Sequence, residues 1–138
     1  MKVYVSGAIT GLPIDEARAA FASASAQVGA LGHIAVNPFD VQPQPGCVCP
    51  NATSGEGAGS NHEWGCYLRG DLVALLDCDA ILMLPGWESS HGARLELQVA
   101  SAVGLRVWWK LPNEMPAEAN VVPGGPLEFG LRVLGLPA

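Results

Sequence analysis

The sequence predicts a three-layer α/β fold on a mostly parallel sheet of four to five strands, and three observations carry that reading. Short β-prone and helical runs follow one another as strand, helix, strand, loop, helix, strand, helix, strand, the alternation that lays helices over a parallel sheet. The run Ala80 to Leu84 is continuously apolar, as strands covered on both faces are. Turn residues punctuate the pattern, with Gly7 after the first strand, Gly32 after the first helix and Pro38 after the second strand.

Taken in order, Lys2 to Ser6 is a short run of alternating Val and Tyr that reads as a first buried strand. From Pro13 the period changes. Pro13 suits a first helical turn, Asp15 and Glu16 sit where the helix dipole favours acids, and Ala17, Ala20, Phe21, Ala24, Val28 and Leu31 recur at helical spacing. His33 to Asn37 is a second strand, completing a β-α-β unit whose right-handed crossover makes the two strands parallel. The stretch from Phe39 to His62 has no period; it is long for a connection and reads either as a functional lid or as a disordered insertion. Trp64, Tyr67, Leu68, Leu72 and Leu75 then mark one face of a helix over Trp64 to Leu76. Ala80 to Leu84 is the third strand, a helix follows from about Ser90 to Val103, and Leu105 to Trp109 is the fourth strand. After about residue 112 the pattern is irregular, with a loop over Asn113 to Pro126 and a short element over Leu127 to Leu136. The whole reads as one domain of Rossmann-like or flavodoxin-like type, in which ligands bind outside the carboxyl ends of the strands.

Composition narrows the function classes. A length of 138 residues with 49% apolar and only 14% charged content describes a folded globule. The net charge of −6, with seven scattered basic residues, suits neither duplex nucleic acid nor an anionic membrane. The opening MKVYVSGAITG lacks the apolar core of a signal peptide and no stretch is long enough to span a bilayer, so a soluble, cytoplasmic protein is expected. Cys47, Cys49, Cys66 and Cys78 are then expected as thiols. Cys47, Cys49, His62 and Cys66 can be drawn as a zinc site, but a Cys-x-Cys pair departs from the usual ligand spacing.

The strand-end rule picks out three stretches: Gly7 to Gly11, Asn37, and Gly86 to Gly92. In SGAITG the glycines allow backbone N–H groups to approach an anion, or they simply make a tight turn. The spacing is neither that of a dinucleotide fingerprint nor that of a Walker loop. In the third helix a Ser cap at Ser89 or Ser90 puts Glu96 in the second turn, while Gly92 and Ala93 keep the surface beside it open. Leu95, Val99 and Val103 form the apolar stripe, and Glu96 flanks it. Spacing alone favours a solvated Glu; the sharper reading is a carboxylate at a cleft edge, able to act as nucleophile or general base. Asp77 and Asp79 stand before the third strand, where structural or capping roles are expected. Asp71 joins a pocket only if its helix runs beside the strand ends.

Three blocks carry a resemblance. VYVSGAITG, RGDLVALLDCDAILML and SHGARLELQVASAVG, in that order and spacing, make the chain resemble the nucleoside 2-deoxyribosyltransferase superfamily. The likeness covers Val3 to about Val107 and is nearest to a small branch holding the 2′-deoxynucleoside 5′-monophosphate N-glycosidases and an uncharacterised, often phage-associated group. It implies Glu96 as the nucleophile that takes up the sugar, Tyr4 as the residue orienting that carboxylate, and Asp71 as a contact to the sugar. It also implies a phosphate or sugar held by the loop of Ser6, Gly7, Ile9, Thr10 and Gly11, with Ser90 and Gly92 at the facing helix, and it aligns Asp79 with the family's Asp before the strand. Trp87 or Phe39 would stack on the base, or pack in the core, and Asn37 is a further substrate-binding candidate; the C-terminal residue that deoxyribosyltransferases lend across a subunit boundary is unassigned, Asn113 and Asn120 being merely available for it. Gln98 stands where the family commonly has Gly and Thr10 where an N-glycosidase has Arg, and neither His91 nor Arg94 is a defining residue.

The implied activity is cleavage of the N-glycosidic bond of a nucleoside or its 5′-monophosphate, by hydrolysis or transfer, without cofactor or metal, in a homo-oligomer of two or more subunits. Two other readings stay open: a module on the same fold that binds or sequesters a nucleotide without cleaving it, and a zinc-bearing interaction protein.

Overall fold

The computed structural model describes residues 1–9, 11–41, 49 and 63–118. Thr10, Cys47, His62, Asn120 and the expected element over Leu127 to Leu136 lie outside the described residues. The elements in chain order are β1 (Lys2–Ser6), α1 (Ile14–Ala30), β2 (Ile34–Val36), α2 (Trp64–Leu76), β3 (Ala80–Met83), α3 (His91–Ala102), β4 (Arg106–Trp109) and β5 (Ala117–Glu118), with single 3-10 turns at Pro38–Asp40 and Trp87–Ser89. Among the described residues the sheet runs β2-β1-β3-β4-β5, its first four strands parallel and β5 antiparallel to β4. This is the Rossmann-like α/β architecture that the sequence predicts, with the flavodoxin-type strand order. One expectation is corrected: β5 falls within the stretch 113–126 read as loop, because two residues paired to Trp108 and Trp109 are too few to leave a period-2 signal.

β1 sits at the centre and its alternation divides the molecule. Val3 and Val5 face the layer of α1, where they pack with Ala17, Phe21, Ala24, Val28, Ala80 and Leu82. Tyr4 points the other way, into a second core with Ile81, Met83, Leu97 and Ala100 under α2 and α3. Successive side chains of a strand emerge on opposite faces, so Ser6 shares the face of Tyr4.

The helix ends obey their local signals. Gly32 (φ 87°) closes α1: His33 N–H donates to Val28 O at 3.2 Å and Gly32 N–H to Gly29 O at 3.0 Å, a Schellman arrangement. Gly104 (φ 79°) closes α3 in the same way, through Leu105 N–H to Ala100 O and Gly104 N–H to Ser101 O. Pro13 is the residue before α1 and not its first turn; Asp15 and Glu16 occupy that turn. At the amino edge of the sheet, Asp79 accepts from Lys2 N–H at 2.8 Å and Asp77 pairs with the Lys2 ammonium, the structural roles expected of both acids.

No helix among the described residues is long and apolar enough to cross a membrane.

Candidate active site

At the carboxyl ends of β1 and β3, where the strand order reverses, a cavity of about 760 Å³ opens. Three segments wall it. The turn after β1 and the first residue of α1 supply Gly7, Ile9, Gly11, Leu12 and Ile14; α2 supplies Trp64, Tyr67, Leu68 and Asp71; α3 and the turn before it supply Ser89, Ser90, His91, Gly92, Ala93 and Glu96. The helix contributions follow helical spacing. Positions 64, 67, 68 and 71 form one face of α2, and 89, 92, 93 and 96 form one face of α3 and the turn before it. Asp71 thus meets the condition set by the sequence: its helix runs beside the strand ends.

Glu96 is the floor. It is only 6% exposed, on a helix face whose other buried members are Ala93, Leu97 and Ala100. The solvated-Glu reading is therefore overturned; the apolar stripe expected beside Glu96 is corrected as well, since Val103 is 54% exposed and Leu95 and Val99 are only partly buried. The docked face of α3 is Ala93, Leu97 and Ala100, whose small alanines let the helix lie close on the sheet; Glu96 is carried in beside Leu97, while Leu95, Val99 and Val103 fall toward the flank.

A carboxylate taken out of water needs partners. Tyr4 Oη donates to Glu96 Oε2 at 2.5 Å and Ser6 Oγ donates to Glu96 Oε1 at 2.8 Å, both hydroxyls being fully buried. Tyr4 and Ser6 are i and i+2 on β1, so the strand's two-residue period alone sets one donor against each oxygen. Burial pushes the Glu96 carboxyl up and these two hydrogen bonds offset part of that push, leaving it raised to about 7. Asp71 is pushed up to about 8, first by burial and then by the charge of Glu96. Tyr4 is raised well above its ordinary value by burial and then by the Glu96 charge, so it remains a donor. Two carboxyl groups line one cavity, both shifted upward by burial, and perturbed carboxyls of this kind recur where proton transfer or charge stabilisation is required.

The mouth is shaped by backbone. Ser90 caps α3, its side chain accepting from Ala93 N–H at 3.2 Å, and this fixes the start of the helix at the cavity. Gly7 is required by close approach, since a Cβ there would stand 3.0 Å from Leu84 Cβ.

The structure brings together Glu96, Asp71, Gly7, Ile9, Gly11, Ser90 and Gly92 around this cavity, with Tyr4 and Ser6 behind Glu96. Ser6 spends its hydroxyl on Glu96 and is fully buried, which makes it a positioning residue. Three candidates are not brought there. Asn37 Oδ1 accepts from Phe39 N–H at 3.0 Å and caps the 3-10 turn. Phe39 packs edge-on to Phe21 in the α1 core, with the Arg18 guanidinium over its ring. Trp87 is buried against Trp109, with ring centroids 5.7 Å apart. The aromatic side chains that do line the cavity are Trp64, Tyr67 and His91. The first two were legible only as members of an apolar helix face, and the signal that separates them is their seven- and four-residue spacing to Asp71.

As for zinc, no group of three His, Cys, Asp or Glu side chains able to hold a metal occurs among the described residues. Cys49 Sγ accepts from Glu63 N–H at 3.3 Å.

The family model described as a domain of unknown function (DUF4406) matches residues 1–109, which span α1, α2, α3 and the four parallel strands of the described residues. The chain belongs to the DUF4406 family. It is a nucleoside 2-deoxyribosyltransferase-like family, in agreement with the resemblance carried by the three sequence blocks. No curated protein matches the chain. In this DUF4406 domain the matched region contains every cavity residue named above.

Proposed function

We propose that this DUF4406 protein cleaves the N-glycosidic bond of a nucleoside or nucleoside 5′-monophosphate, with Glu96 as nucleophile. The observation that carries the reading is the buried carboxylate at the cavity floor, gripped by a hydroxyl on each oxygen and facing the same space as Asp71.

Breaking the bond between C1′ and the base nitrogen builds positive charge on the sugar. A preorganised carboxylate stabilises that charge and collapses onto it. The Glu96 oxygen bonds to C1′, the C1′–N bond breaks with its electron pair passing to the base, and the base leaves carrying a proton. Asp71, whose carboxyl is raised to about 8, holds that proton at neutral pH and is suited to donate a hydrogen bond to a sugar hydroxyl or the proton itself. Water attacking C1′ then breaks the glycosyl ester and restores Glu96; a second base in place of water gives transfer. Tyr4 and Ser6 hold the carboxylate in the attacking geometry. The finer assignment to the monophosphate N-glycosidase branch rests on the resemblance of the loop after β1 and of Ser90 to a phosphate-holding arrangement.

The test is incubation of wild type and Glu96→Ala with ribo- and deoxyribonucleosides and their 5′-monophosphates, following free base by chromatography. Base release by wild type and a loss of at least about a thousand-fold in Glu96→Ala is expected, the scale on which removal of a nucleophile acts. A nucleotide bound equally by both proteins and cleaved by neither would instead make the cavity a binding module.

A further inference from the structure

The described cysteines do not line the cavity, and they fall into two kinds. Cys78 is buried, its Sγ donates to Ala74 O at 3.3 Å, and burial pushes its thiol up to about 11. Because the thiolate is the reacting form, Cys78 is inert. Cys49 and Cys66 are thiols too, but both are partly exposed and both stand at the amino end of α2. Glu63 caps that helix, yet its own side chain makes no capping bond. Its backbone N–H donates instead to Cys49 Sγ, at 3.3 Å. Cys66 is the third residue of α2, and its N–H donates to Glu63 O at 2.9 Å. The third helical position is the one from which a side chain reaches back to the N–H of the cap residue. That N–H is the group Cys49 holds, so the hydrogen bond of one cysteine and the helix position of the other point to the same place.

We propose that Cys49 and Cys66 are a thiol–disulfide pair, oxidised by a low-molecular-weight disulfide such as oxidised glutathione and closed across the amino end of α2. One cysteine thiolate attacks a sulfur of oxidised glutathione, which forms a mixed disulfide and releases one glutathione. The other attacks the protein-side sulfur, forming the Cys49–Cys66 bond and releasing the second. The two electrons and two protons lost by the cysteines end on the two glutathione thiols. The bond requires Cα atoms about 4.4–6.8 Å apart, which a shared cap provides by turning the two side chains and leaving α2 in place. It ties residue 49 to the helix that lines the cavity through Trp64, Tyr67, Leu68 and Asp71, so the oxidised protein holds that wall more firmly. The pairing is independent of what the cavity cleaves.

The experiment is incubation of the full chain with oxidised glutathione, alkylation of the remaining thiols, and mass mapping without reduction after cleavage at glutamate, which separates Cys49 from Cys66. Thermal unfolding is followed in the oxidised and the dithiothreitol-reduced protein. The expected result is one crosslinked peptide pair whose fragments place the bond between Cys49 and Cys66, undone by dithiothreitol. The oxidised form should melt about 5–10 °C higher than the reduced one. Cys66→Ser should lose both the crosslink and the difference in Tm while melting like the reduced wild type, which shows that it folds. Cys66 recovered alkylated, carrying only glutathione, or bonded to Cys47 overturns the inference, as does an equal Tm in the two redox forms. Stoichiometric zinc in the purified wild type that is lost in Cys66→Ser overturns it as well, since the sulfurs would then be metal ligands.

Discussion

The two faces of the central sheet are built from the same strands and differ in what they bury. Under α1 the contacts are apolar: Val3, Val5, Ala80 and Leu82 meet Ala17, Phe21, Ala24 and Val28. Under α2 and α3 the same strand β1 turns Tyr4 and Ser6 toward Glu96, so polar side chains occupy positions that the other face fills with valines. The α1 face is a source of stability. The α3 face surrenders some of it, because desolvating a carboxylate costs free energy that its two hydrogen bonds only partly return. A single strand thus separates support from chemistry through its two-residue period.

Three changes sharpen this contrast. The largest acts on the supporting face. Phe21→Ala removes a buried ring that packs edge-on to Phe39, and should cost about 3–5 kcal/mol in denaturant unfolding. The pH dependence of both activity and stability should keep its shape, since no titrating group is touched.

On the other face the signature is pH. Glu96 and Asp71 are both raised in the folded protein, so folding binds protons more tightly than the unfolded chain does. Their stabilising contribution is therefore fully present below the ordinary carboxyl values near 4 and is lost as pH rises through about 7 and 8. Thermal unfolding should show a fall in stability across that window. For Glu96 alone the shift amounts to about 3 kcal/mol. Glu96→Gln should flatten its share of the slope and unfold later than wild type at pH 8. A wild-type curve level from pH 4 to pH 8 would contradict the buried, protonatable pair.

Tyr4→Phe is the mildest. It keeps the buried ring and removes the hydroxyl on Glu96 Oε2, one of the two bonds that favour the ionised carboxylate. The ascending limb of the pH-rate profile should move to higher pH, and base release at neutral pH should fall about ten- to a hundred-fold, the scale of one charge-assisted hydrogen bond. An unshifted limb would mean that Tyr4 only packs.

The fold was legible because its signals are local and redundant. The apolar run of β3, the Gly stop at Gly32 and the Ser90 cap each have a backbone reason that holds in any context. Glu96, Tyr4 and Asp71 were legible as a set only through the family resemblance, since each alone has an ordinary structural explanation. The burial of Glu96 escaped the periodicity because Leu95, Val99 and Val103 give the stronger apolar signal, whereas α3 docks through Leu97 flanked by the small Ala93 and Ala100. Asn37, Phe39 and Trp87 were drawn toward the site by their places at strand ends. A 3-10 cap and two ring packings claim them instead. Trp64 was hidden in the opposite way: it looked like core, and only the tertiary placement of α2 beside α3 leaves it open at a cavity.

Bonding of Glu96 to the sugar, the step on which the proposed function depends, is read by intact-mass and peptide analysis of the protein acid-quenched during turnover of a nucleoside found to release base. One added glycosyl group is expected, located on the peptide containing Glu96 and missing from Glu96→Gln. Base release by wild type with no adduct, or an adduct that persists in Glu96→Gln, would contradict it.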